Sequence, residues 1–101
     1  MPDNKQRESY RLSPGITWIV QKSGVLVIDE RSRDSEKLNY PDAIVWELLC
    51  RGHSPAKAAN MLGFILGVTA QKAQEHIELC IREWLDAGWI TAINFEENQL
   101  S

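Results

Sequence analysis

Between residues 16 and 29 the apolar positions fall in short β-branched runs, and from residue 42 onward they recur every three to four residues. Ile16, Trp18, Ile19 and Val20 make the first run, and Val25, Leu26, Val27 and Ile28 the second. Ser23 and Gly24 lie between them, so the pair reads as a β-hairpin with a tight reversal. Residues 30–35 are polar and read as a second turn, after which residues 36–40 form a short third strand. The expected sheet is a three-stranded antiparallel meander.

Pro41 cannot continue a paired strand but suits the first turn of a helix. Ile44, Val45, Leu48 and Leu49 then keep helical spacing as far as Arg51 and Gly52, where a glycine stop is expected. Ser54 and Pro55 restart a helix through Ala58, Ala59, Leu62, Ile65 and Leu66 to Gly67. Gly63 weakens its last turn by about 1 kcal/mol relative to alanine. Val68 and Thr69 cap a longer third helix with the apolar stripe Ala73, Ile77, Cys80, Ile81, Trp84 and Leu85. Gly88 ends it, and residues 89–93 read as a short extended wing. The fold class is α+β, a winged helix-turn-helix-like domain over residues 12–93. A flexible polar arm (1–11) and a polar tail (94–101) are expected to flank it.

Composition narrows the function classes. One domain is what 101 residues allow, and 44% apolar content with four Trp supports a folded core. No run approaches the roughly 20 apolar residues of a membrane span, and no signal-peptide pattern opens the chain, so a cytoplasmic setting is expected. Fourteen acidic against eleven basic side chains give a net charge of −3. Cys50 and Cys80 stand 30 positions apart without a CxxC or ligand-spaced histidine, and read as buried reduced thiols.

A winged helix that reads DNA presents basic and amide side chains from its third helix. Here Lys72 and Arg82 face four acids, Glu75, Glu78, Glu83 and Asp86, a balance of −2 that repels phosphate. A DNA-binding regulator is therefore the alternative and no nucleic-acid partner is expected. Leu79 lies off the stripe, about 240° around the helix from Ala73, beside Lys72, Glu75, His76 and Glu83. It is either a lone exposed leucine or one wall of a groove for an apolar side chain. The unbroken run Val25–Ile28 makes both sheet faces apolar. Loops or the arm could cover the second face, or it could pair two copies as a homodimer or structural subunit. The third strand is a candidate free edge, and an edge beside an amphipathic helix suits an extended peptide added as a strand.

Catalytic chemistry finds no support. His53 and His76 read as surface residues, the serines lie in turns and caps, and the acidic pairs Asp29–Glu30 and Glu96–Glu97 lie in a turn and a tail. No phosphate loop, cofactor motif or metal-ligand set is legible. The chain is read as a non-enzyme without cofactors.

Several segments resemble one family. Leu38-Asn39, the run Ala43-Ile-Val-Trp-Glu-Leu-Leu49, Ser54-Pro-Ala-Lys-Ala-Ala59 and Trp84-Leu-Asp-Ala-Gly-Trp-Ile90 are similar to the PqqD-like family, known as RiPP recognition elements. Ser13-Pro-Gly-Ile16 and Gly24-Val-Leu-Val-Ile-Asp29 resemble that family's opening hairpin. The resemblance implies a non-catalytic module that binds the leader segment of a ribosomally made precursor peptide as an added strand. The module then presents the peptide to a modifying enzyme, such as a radical S-adenosylmethionine protein or a leader protease. Carried onto this chain, the peptide edge is Lys37, Leu38, Asn39 and Tyr40, and the facing helix positions are Lys72, His76, Leu79 and Glu83.

The chain departs from the pattern in places. Ser35 and Glu36 stand where many relatives carry an aromatic, and Cys50-Arg-Gly52 stands where quinone-pathway members often carry Asp-Gly. The Pro-Glu element those members carry near the second strand is also missing. A generic precursor-peptide binder or a lasso-type element is therefore implied at least as strongly as a role in pyrroloquinoline quinone synthesis.

Overall fold

The computed structural model describes residues 8–94. In chain order the elements are β1 (Glu8–Leu12), β2 (Ile16–Gln21), β3 (Gly24–Asp29), β4 (Asp34–Asn39), α1 (Asp42–Cys50), α2 (Pro55–Leu66), α3 (Ala70–Asp86) and β5 (Ile90–Asn94). The expected order of three-stranded antiparallel sheet and three helices is present. No helix among the described residues is long and apolar enough to cross a membrane.

The chain also builds a second sheet. Residues 8–11, read as part of the polar arm, belong to β1, which pairs antiparallel with β5 from Glu8↔Asn94 to Leu12↔Ile90. The expected wing is thus one half of a ribbon made by the two ends of the domain. Its signal was short: only Tyr10 and Leu12 alternate toward the core, between Ser9 and Arg11. Ser13 pins the start of the hairpin, donating its N–H to the Trp89 carbonyl and pairing its Oγ with Thr91 Oγ1 at 3.1 Å. Residues 1–7 and 95–101 lie outside the described residues.

In the main sheet β3 is central, pairing Val25 with Val20 and Leu38, and Val27 with Trp18 and Glu36. Gly24 opens β3 where the backbone of β4 crosses it, and a Cβ there would run into the Leu38 carbonyl oxygen. β4 starts at Asp34, two residues before the expected strand, and ends at Asn39. Its first residues are solvent-exposed edge positions, so they carry no apolar pattern to read.

The inner face of the sheet sends Ile16, Val25, Val27 and Leu38 into the core. On the opposite face Ile19 is 53% exposed, with Leu26 and Ile28 half-buried beside it. That face is apolar, as its sequence implied, and no described residue packs over it closely enough to bury it.

Helix ends follow their sequence signals. Ser54 Oγ and Thr69 Oγ1 accept the backbone N–H groups of Lys57 and Lys72, satisfying orphan donors at the starts of α2 and α3. Gly63 remains helical because the turn into α3 passes over it. A Cβ would sit 2.9 Å from the Val68 oxygen, so close approach offsets its weak propensity.

Trp46, at 1% exposure, is the largest of the fully buried side chains, followed by Leu62 and Ile77. Trp84 and Trp89 stand edge-on to it, with centroids 5.1 and 6.0 Å away. Three apolar positions expected to face inward do not: Ile65, Leu66 and Leu85 are 53%, 42% and 40% exposed. Helical spacing alone cannot mark where a neighbouring element ends. Phe64 joins Ile65 at the surface and is 90% exposed. Cys50 and Cys80 are free thiols, Cys50 half-buried and Cys80 buried. Burial pushes the Cys50 thiol up to about 12, with Glu47 adding to the effect.

Candidate functional site

β4 is an edge strand, since the sheet order is β2-β3-β4. Its side chains alternate, so Asp34, Glu36 and Leu38 share the inner face with Val27, while Ser35, Lys37 and Asn39 point to the outer one. Leu38 is 5% exposed and is a core residue, so what it offers a ligand is backbone. Lys37 extends across the outer face and donates to Ser23 Oγ at 2.7 Å. Tyr40, just past the strand, is 54% exposed.

Two fixed points align α3 with this edge. Below, a cleft of about 490 Å³ lies between the start of β4 and the end of α3, walled by Val27, Asp34, Glu36, Ala87 and Trp89. Above, where β4 has run into α1, His76 Nε2 lies 2.7 Å from Asp42 Oδ1. Positions 76, 79, 83 and 87 are three or four residues apart and so form one ridge of α3. Its two ends are placed by those points, His76 against the start of α1 and Ala87 across the cleft from the start of β4. Leu79, 56% exposed, and the exposed Glu83 stand on the same ridge as the half-buried His76. Lys72 is exposed in the first turn of α3, one turn before His76.

The lower cleft was not legible as a site. Period-two alternation puts Glu36 beside Val27, but the approach of Ala87 and Trp89 is tertiary. Arg31 holds this end together. It grips Asp29 through Nε at 2.9 Å and Nη2 at 3.0 Å, and Nη2 also donates to the Gly88 carbonyl. The turn after β3 is thereby tied to the turn after α3.

Hydrogen bonding from Arg31 holds the Asp29 carboxyl below the usual carboxylate range. With a depressed folded value, this pair supports the fold above the ordinary carboxylate pKa and stops doing so as pH falls through the folded value. Replacing Arg31 with Gln should raise the Asp29 titration midpoint toward the ordinary range, as read from its carboxyl ¹³C shift. An unmoved midpoint would show that Arg31 is not the cause.

The upper end contains a third donor. Cys80 lies one turn along from His76, with Sγ 3.6 Å from Asp42 Oδ1 and 3.7 Å from His76 Nε2. The sequence showed no metal-ligand set because residue 42 is remote from residues 76 and 80 in the chain. Folding brings all three donor atoms within 4.8 Å of one another. Burial, the Asp42 carboxylate and Glu83 push the Cys80 thiol up to about 12.

This fold is a small α+β domain whose edge strand β4 is unpaired on one side among the described residues. No protein-family model matches the chain, and no curated protein matches it in sequence. Two solved structures share the fold. Lasso peptide synthetase B1 complexed with the leader peptide superposes with a TM-score of 0.76 at 28% identity, covering 82% of this chain and 98% of that one. TbiB1 in complex with the TbiA(beta) leader peptide gives a TM-score of 0.74 at 12% identity, covering 79% and 93%. The fold is thus one shared with two proteins solved in complex with leader peptides.

Proposed function

We propose that this protein is a non-catalytic leader-peptide-binding module of a RiPP biosynthetic system. The observation that carries the reading is the edge of β4, unpaired among the described residues, together with the exposed ridge of α3, in a fold shared with a 28%-identical protein solved with a leader peptide. The peptide adds as a fourth strand along β4. Its backbone pairs with the edge from residue 34 to Asn39, which gives affinity independent of sequence. Alternate peptide side chains turn inward between Val27, Glu36 and Trp89 on one side and Leu79 and Glu83 on the other. Lys37, Leu38, Asn39 and Tyr40 act chiefly through the strand, and His76 and Lys72 border the end nearer α1.

The bound peptide is then handed to a separate modifying enzyme in the cytoplasm, where ribosomal precursors are made. The likeness to a lasso peptide synthetase component favours a lasso-type system, and hence a leader protease, over the quinone pathway with its radical enzyme.

The test is a ¹⁵N-HSQC titration with leader peptides encoded by short reading frames beside the gene. Shifts should cluster at residues 34–40, 76–83 and 87–89. Saturable shifts on the outer sheet face alone would move the site there. No shifts with any such peptide would reject the reading.

A further inference from the structure

We propose that Asp42, His76 and Cys80 form a binding site for a thiophilic divalent metal ion of the zinc class. One carboxylate oxygen, one imidazole nitrogen and one sulfur converge, a combination that suits zinc and cobalt and is poor for calcium or magnesium.

Distances agree with that assignment. A tetrahedral zinc centre with bonds of about 2.0–2.3 Å separates its ligand atoms by roughly 3.3–3.6 Å. Here sulfur stands 3.6 Å from the oxygen and 3.7 Å from the nitrogen, which is within about 0.2 Å of the spacing a shared ion imposes. Only the Asp42–His76 contact, a hydrogen bond at 2.7 Å, must open, by about 0.6 Å, as the ion replaces the bridging proton.

The framework is fixed. His76 and Cys80 are four residues apart on the 17-residue helix α3, so they face the same way. Asp42 is the first residue of α1, where a carboxylate is favoured by the helix dipole. Access is open, since the His76 and Asp42 side chains are 36% and 39% exposed while Cys80 is buried behind them. Three protein ligands leave a fourth position toward solvent, the pattern of an open rather than a closed zinc site. On binding, the ion displaces the Cys80 thiol proton to solvent, after which carboxylate and thiolate together neutralise the dication, and Glu83 adds negative potential nearby. The proposal does not depend on the peptide-binding reading.

The experiment is a titration of the full chain with Co(II), followed by absorption. One equivalent should give a thiolate-to-cobalt charge-transfer band in the near ultraviolet and strong d–d bands in the visible. Zinc should abolish both by competition. Cys50→Ser should keep the bands, and Cys80→Ser should lose the charge-transfer band. His76→Ala and Asp42→Asn, both at partly exposed positions, should weaken binding at least tenfold, since even outer-shell partners are worth about 10–100-fold. A chain that takes up no cobalt overturns the site, as do bands that survive in Cys80→Ser or unchanged affinity in both His76→Ala and Asp42→Asn.

Discussion

Replacing Trp46 with Ala should lower the unfolding free energy by about 3–5 kcal/mol, measured by urea denaturation under far-UV circular dichroism. The residue is 1% exposed and stands edge-on to both Trp84 and Trp89, so its loss empties the junction between α1, α3 and the turn into β5. Trp46→Phe should cost clearly less. The phenyl ring keeps part of the aromatic contact, and the change removes an indole Nε1 that finds no hydrogen-bond partner among the described residues. A buried donor left unpaired costs about 1–3 kcal/mol, which the phenylalanine variant regains against its lost volume. Equal losses in the two variants would mean that the N–H is satisfied by water. A loss below about 1 kcal/mol in the alanine variant would contradict the central placement of Trp46.

That core was legible because burial writes itself as periodicity. Ala73, Ile77, Cys80, Ile81 and Trp84 are a helical stripe in the sequence and a buried face in the structure. Val25 and Val27 mark the inner face of β3, and Ser54 and Thr69 mark two helix starts through side-chain caps. β1 escaped because two alternating apolar residues cannot be told from chance in a polar segment. The early start of β4 escaped because an edge strand is held by backbone pairing, to which Asp34, Ser35 and Glu36 contribute no pattern.

The site divides along the same line. The helix ridge His76, Leu79 and Glu83 could be found as an exposed face interrupted by an off-stripe leucine. The cleft at Ala87 and Trp89 and the approach of Asp42 to His76 and Cys80 depend on how α3 and the turn after it are placed against α1 and the start of β4. Sequence spacing does not encode that placement. It results from Trp46 packing against Trp84 and Trp89, together with the Arg31 link between Asp29 and Gly88.

The groove itself is tested by charge. Leu79→Arg should leave the fold intact, because the side chain is 56% exposed, yet weaken leader-peptide binding at least about tenfold, or roughly 1.4 kcal/mol, by calorimetry. An inward-facing peptide side chain would then meet a guanidinium where it had met an apolar wall, and the desolvation of that charge opposes docking. The outer sheet face supplies the control. Ile19 is 53% exposed on β2, on the side of the sheet away from the helices, so Ile19→Arg should leave peptide affinity within about twofold. If that face instead pairs two copies of the chain, Ile19→Arg should shift the sedimentation coefficient toward the monomer while Leu79→Arg does not. Peptide affinity that falls with Ile19→Arg and survives Leu79→Arg would place the peptide on the apolar outer face, and β4 would then serve only as the sheet's edge.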